Sequence, residues 1–237
     1  PSKLVKGKDL DSFIPFLSPV GGQMPIPFTT VPQNYPVQMT REEMFDKNYF
    51  HGGAKVGGYA REGYWDFPVH NVTFQHIMNR KPKSVIELGA SRGYVGKRIQ
   101  DAGIPWQGLE ISKHCWLTRA ADPIWLWDLC KFPWPIDWFG GRQDLAFSIA
   151  VLEHIPEEFV PQLAAELERV SDRGLHGIDF GQKDDGFDKT HCNFKPKSYW
   201  IANLPKGHEV VDKEELERGE ISEEIFRGDG KVKLNIG

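Results

Sequence analysis

Three acids, each at the end of an apolar run, are the residues of this chain whose spacing suggests chemistry: Glu87, Glu110 and Asp128. Glu87 stands in Ser84-Val-Ile-Glu-Leu-Gly-Ala-Ser-Arg-Gly-Tyr-Val-Gly-Lys97, a β-branched run that ends on an acid and turns through Gly89 and Gly93. A parallel strand that stops at such a turn lets backbone approach a ligand at the carboxyl edge of a sheet, where open α/β folds bind nucleotides. Glu110 closes the next run, Trp106-Gln-Gly-Leu-Glu-Ile111, and is placed to accept from the two hydroxyls of a ribose. As a strand-end side chain it is expected to lie outside the core. Asp128 closes a third run, Pro123 to Leu129. Two histidines follow later in the chain: His154 after a fourth run, Asp144 to Ile155, and His191 in Asp188-Lys-Thr-His-Cys-Asn193. An imidazole titrates near neutral pH and so suits proton removal.

The elements that must hold these residues follow from period and punctuation. The four runs read as strands, a fifth strand is predicted over Gly174 to Phe180, and a Pro-led amphipathic helix over Pro156 to Val170. Asp66 to Asn79 has helical spacing ahead of the first strand. Thr40-Arg-Glu-Glu43 is a capping box that should open a short helix through Tyr49. Lys195 to Leu204 looks helical, and Glu209–Val211 is expected to pair with Lys231–Ile236 as a terminal hairpin, given the period-2 alternation Val232, Leu234, Ile236. Residues 1–40 are rich in Pro and Gly and poor in periodicity, so an extended arm is expected, followed by one domain over 41–237.

Over about residues 80–180 these segments resemble the class I S-adenosylmethionine-dependent methyltransferases. Glu87-Leu-Gly-Ala-Ser-Arg-Gly93 is similar to their first motif, E/D-x-G-x-G-x-G, with Ser91 where the middle glycine usually stands. Glu110 matches the acid after their second strand, Asp128-Leu129 the pair that grips adenine, and Ser148 to Ile155 their S-x-x-V-L-E-H-I segment. The resemblance implies an α/β, Rossmann-like, doubly wound and mainly parallel sheet with a reversed last strand. It implies S-adenosylmethionine as cofactor and S-adenosylhomocysteine as product. The cofactor residues it marks are Tyr59, Glu87, Gly89, Ala90, Ser91, Gly93, Glu110, Ile111, Asp128, Leu129, Ile149 and Ala150. It puts His154 near the reactive end, and makes His191 a general base or substrate contact, since Asp188 to Trp200 resembles a D-x-T-H-x-x…W-W segment after the fifth strand. Tyr49-Phe50 and Gly57 to Tyr64 look like the aromatic lid of small-molecule and sugar methyltransferases, where a ring face beside the sulfonium is a cation–π arrangement. A small-molecule or sugar-like acceptor is therefore expected.

Composition narrows the classes. With 237 residues, 40% apolar and 26% charged, the chain has the make-up of a globular α/β domain with decorations. A net charge of -4 argues against a nucleic-acid backbone as partner, because phosphate binding needs concentrated Lys and Arg. No apolar run approaches the ~20 residues that span a bilayer, and Pro1 to Asp9 carries no apolar stretch of the signal-peptide kind. Cys115, Cys130 and Cys192 stand far apart without C-x-x-C spacing, which speaks against disulfides and thiolate zinc and for a reducing, cytoplasmic setting. Nothing in the spacing calls for a metal. The acid-rich segment Glu209 to Asp229 is expected to be a solvated surface.

Rival readings exist. Gly89-Ala-Ser-Arg-Gly93 is a literal G-x-S-x-G nucleophile elbow, with His51-Gly-Gly53 as an oxyanion loop. That hydrolase would need several strands upstream, which the Pro-rich first forty residues do not offer, and it leaves Glu110 and Asp128 idle. A nicotinamide dehydrogenase needs G-x-G-x-x-G, but Gly96 falls at the wrong spacing. A pseudoenzyme that keeps the cofactor site without turnover is the remaining alternative.

Overall fold

The computed structural model describes residues 39–52, 66, 67, 69–180 and 188–218. Strands β1 (Val85–Leu88), β2 (Trp106–Glu110), β3 (Ile124–Leu126), β4 (Gln143–Ile149), β5 (Ser171–Ile178) and β6 (His208–Asp212) join in the order β3-β2-β1-β4-β5-β6. Every pairing is parallel. The helices are α1 (Arg41–Met44), α2 (Lys47–His51), α3 (Val69–Asn79), α4 (Tyr94–Asp101), α5 (Lys113–Leu117), α6 (Val160–Val170), α7 (Lys197–Asn203) and α8 (Lys213–Arg218).

Successive strand residues point to opposite faces, and the sequence fills both faces with apolar side chains. Ile86, Leu88, Leu109 and Ala146 pack on one side with Leu163 and Leu167 of α6 and Trp200 of α7. Val85, Leu145, Phe147 and Leu175 pack on the other with Ile77 of α3, Val95 and Ile99 of α4 and Leu216 of α8. Each fully buried aliphatic side chain is worth ~1.5–3 kcal/mol relative to exposure. The strand order reverses between β1 and β4, and such a switch point opens a crevice at the carboxyl ends of the strands.

Local chemistry moves several boundaries. The helix expected through Tyr49 is two helices, because Asp46 accepts from the backbone N–H of Asn48 (2.7 Å) and Tyr49 (3.1 Å) and so starts α2 afresh. β3 stops at Leu126, and Asp128 sits in a turn where it accepts from Cys130 N–H at 3.0 Å. The acid-rich segment does not begin as solvated surface. Val210 and Val211 of β6 are buried, and Glu209 pairs with Arg80 at the end of α3. Glu209–Val211 belongs to a strand parallel to β5, so among the described residues the sheet has no reversed strand. The segment 231–236, Tyr59 with the aromatic stretch 57–64, and residues 1–38 of the expected arm lie outside the described residues.

Candidate functional site

A cavity of ≈ 110 Å³ opens at the carboxyl ends of β1, β2 and β4. Nine of the residues expected from sequence to hold the cofactor or do chemistry meet on its walls: Gly89, Ser91, Glu110, Ile111, Asp128, Leu129, Ile149, Ala150 and His154. Arg41, Phe45, Tyr49 and Phe50 of the α1–α2 segment cover it. These aromatics form a small cluster of their own with Met44 and Cys115.

The turn after β1 is built by backbone geometry. Gly89 has φ +64°, and a Cβ there would lie 2.5 Å from Val151 Cγ2, so only glycine lets the segment after β4 come this close. Ser91 takes the left-handed conformation too (φ +49°), which costs a non-glycine residue ~1–2 kcal/mol. Glu110 offsets that cost: its Oε2 accepts from Ser91 N–H and its Oε1 from Ser112 N–H, both at 2.6 Å. The side chain therefore does not hang free at a strand end. Glu110 is only 4% exposed and ties the β1 turn to the start of α5. Burial pushes its pKa up to about 7, against the pull of those backbone N–H groups. A carboxylate has about four lone-pair sites, so with the Ile111 N–H also drawn to it, room remains for a further donor.

Glu87, Ala90 and Gly93 do not reach the cavity. Glu87 lies on the α4 face of β1, 6% exposed, and accepts from Trp106 Nε1 at 3.0 Å. Burial raises its pKa well above the usual carboxylate range. Ala90 packs in the core on that same face. Gly93, at φ +73°, is the N-cap of α4. These three shape the turn from beneath.

Arg41 is the residue that sequence reasoning missed. Its guanidinium is buried against Asp128 (Nε to Oδ1 3.3 Å) and donates through Nη1 to the His154 carbonyl at 2.9 Å. The capping box locates α1, but the partners of Arg41 lie 87 and 113 residues away, and only the fold brings them together. Trp127 lines the wall beside Asp128, and its indole N–H donates to Lys131 O at 3.0 Å.

At the other end, Thr190 Oγ1 donates to Asp188 Oδ1 at 2.6 Å, leaving its lone pair for His154 Nδ1 at 2.8 Å. Nδ1 thus carries the proton and Nε2 the free lone pair. Burial, and then the neighbouring His191, lower the His154 pKa to about 3, so the ring is neutral. His191 is not on the cavity wall, but its ring centroid lies 4.5 Å from that of His154. Asp188 is the hub: its Oδ2 also accepts from Tyr49 O–H at 2.8 Å, joining the cover to the segment after β5.

The elbow reading of Ser91 fails on geometry. Among the described residues its hydroxyl meets Cys115 Sγ at 3.4 Å, not an imidazole, and burial pushes that thiol up to about 12. His51 sits in α2 with its Nε2 2.9 Å from His114 Nε2. All three cysteines are free thiols.

Fold and site together define a doubly wound, open α/β protein with a ligand crevice at its switch point. No family model and no curated protein matches the chain. Three partly similar solved structures can be named. A chain of the Haloferax volcanii complex between the Trm112 methyltransferase activator and its proposed methyltransferase is 16% identical over 57% of this chain and 66% of that one, TM-score 0.46. The glycopeptide N-methyltransferase MtfA, solved with S-adenosylhomocysteine, is 17% identical over 50% and 56%, TM-score 0.40. A SAM-dependent methyltransferase from Archaeoglobus fulgidus is 13% identical over 44% and 49%, TM-score 0.36. The chain thus spans between 49% and 66% of the length of these proteins. No helix among the described residues is long and apolar enough to cross a membrane.

Proposed function

We propose that the protein is an S-adenosylmethionine-dependent methyltransferase acting on a small-molecule or sugar-like acceptor. One observation carries this reading: the acids that follow β2 and β3, Glu110 and Asp128, share one cavity with the Gly89–Ser91 turn after β1. That constellation suits a nucleoside ligand. The turn presents Gly89 and Ser91 to the cavity, Glu110 accepts from ribose hydroxyls through its remaining lone-pair capacity, and Asp128 accepts from the adenine amine. Bound there, the cofactor supplies an activated methyl group on a sulfonium. The chain's own part is to hold the acceptor atom in line and to exclude water. Phe45, Tyr49 and Phe50 provide the apolar cover for this, and His154 and His191 mark the acceptor side.

A cavity of ≈ 110 Å³ is smaller than the ~300–1,000 Å³ of ordinary ligand sites. Binding therefore requires the α1–α2 cover to shift, withdrawing Arg41 from Asp128. Calorimetry with the two sulfur ligands tests the proposal. S-adenosylmethionine and S-adenosylhomocysteine are expected to bind at one site per chain, and nicotinamide dinucleotides are not. Absence of binding and of any thermal shift with both sulfur ligands at millimolar concentration rejects it.

A further inference from the structure

Glu153 is the least expected side chain near the site. It is 0% exposed, its Oε1 accepts Asp179 N–H at a long 3.3 Å, and its Oε2 has no hydrogen-bond partner among the described residues. A buried carboxyl oxygen left unpaired is costly, and proteins rarely keep one without a compensating group; burial raises this carboxyl's pKa to about 8, so an ion would bind by displacing its proton. One donor atom from each of Glu153, His154 and His191 lies within 4.8 Å of the others. We propose that these three residues bind a single divalent transition-metal ion.

The supporting structure is already in place. The turn Leu152–His154 sets the carboxylate and the first imidazole side by side in sequence. Backbone N–H groups of Cys192 and Asn193 both donate to the Glu153 carbonyl at 3.0 Å, which ties the His191 segment to that turn. Metal-binding histidines usually donate their second ring N–H to a carboxylate or an equivalent acceptor, which fixes tautomer and orientation. His154 does this through Thr190 to Asp188, leaving Nε2 as the lone pair to offer.

Ligand type sets the metal class. Two imidazoles and one carboxylate suit zinc, iron(II), manganese or nickel, whereas magnesium and calcium prefer all-oxygen shells. Donors at ~2.0–2.2 Å from one ion stand little more than 3 Å apart. The present spacing thus needs an inward turn of the side chains, for which His191, 16% exposed, has room. His154 also lines the cavity, so the ion would sit at its wall, able to take an oxygen of a ligand in an open position. The inference stands on these residues alone and does not depend on the methyltransferase reading.

The experiment uses the full chain, stripped with a chelator and titrated with Co²⁺. Visible absorption reports imidazole–carboxylate coordination, and Zn²⁺ competition and a melting curve follow. One Co²⁺ per chain is expected, displaced by Zn²⁺, with a raised melting temperature. Glu153→Gln, which keeps the shape, and His191→Ala should each weaken binding at least tenfold. His51→Ala, which breaks the exposed His51–His114 pair, should leave it unchanged. Circular dichroism checks that each variant folds, and either folded variant suffices for a decision. No stoichiometric binding, or binding undiminished by these substitutions, overturns the site, as does loss of binding in His51→Ala, which would move the ion to the surface pair.

Discussion

Glu110, proposed to meet the ligand, is first a structural residue of the fold. Its two carboxylate oxygens hold the N–H groups of Ser91 and Ser112, so the strained turn and the start of α5 depend on it before any ligand arrives. Hydrogen bonds to a charged group contribute ~1.5–3 kcal/mol each, and a buried donor left unpaired costs ~1–3 kcal/mol. Glu110→Ala is therefore expected to lower affinity for S-adenosylhomocysteine at least tenfold and also to destabilise the ligand-free protein by ~2 kcal/mol or more. Calorimetry and denaturant unfolding read the two effects separately. An unchanged affinity removes Glu110 from the site, and an unchanged stability removes it from the turn.

Among the elements, α4 is held against the sheet by an absence. A Cβ built on Gly96 would lie 2.1 Å from Trp106 Cε2, so the helix rests directly on the indole, whose Nε1 in turn donates to Glu87. Alanine is intrinsically better than glycine in a helix by ~1 kcal/mol. The ring is 3% exposed and bonded, so it cannot step aside, and overpacking of this kind costs ~1–3 kcal/mol or more. Gly96→Ala should thus lower the melting temperature despite the helix preference, and a rise would show that the indole yields. The sequence marks Gly96 only as a glycine at the wrong spacing for a dinucleotide fingerprint. Its packing partner is Trp106 at the start of β2, a contact between two elements that local pattern does not show.

For the whole molecule, buried titratable groups shape how stability responds to pH. Glu110 has a folded pKa of about 7 against an ordinary 4.5, so its contribution is fully present below 4.5 and is lost as pH rises through about 7. Glu87, also raised by burial, acts in the same sense. His176 and His208 act oppositely. They stack with ring centroids 5.2 Å apart in a bonded row from Ser148 to Ser171, across β4, β5 and β6. Burial lowers His208 from 6.5 to about 4 and His176 well below its usual value. Their contribution is full above 6.5 and is lost as pH falls through about 4. Between 4.5 and 6.5 the two sets oppose each other, so a plateau of stability is expected there, falling off on both sides. Each histidine adds up to ~1.4 kcal/mol per pH unit on the acid side. Denaturant unfolding from pH 4 to 8 checks this, and His208→Asn should flatten the acid limb. A steady slope across the range contradicts it.

Periodicity and punctuation determined the alternation of strands and helices and the places where the acids fall, because those signals are local and repeat along the chain, whereas the mainly parallel sheet was implied by the family resemblance, whose reversed last strand is not found among the described residues. Of the cavity residues, Gly89, Glu110, Asp128 and His154 were legible on that ground, each beyond a strand that the topology sends to one edge, and Ser91, Ile111, Leu129, Ile149 and Ala150 were marked by the family resemblance. Tertiary structure decided what the side chains do there. Strand-face alternation turned Glu87 away to Trp106, and backbone donors on two separate turns claimed Glu110. Arg41 met Asp128 across 87 residues, and His191 was brought beside Glu153 and His154 by hydrogen bonds from Cys192 and Asn193. Such contacts join residues far apart in the chain, and no spacing rule encodes them. They exist only once burial has chosen which polar groups must find each other, since a polar group taken out of water has to be paired or remain a cost.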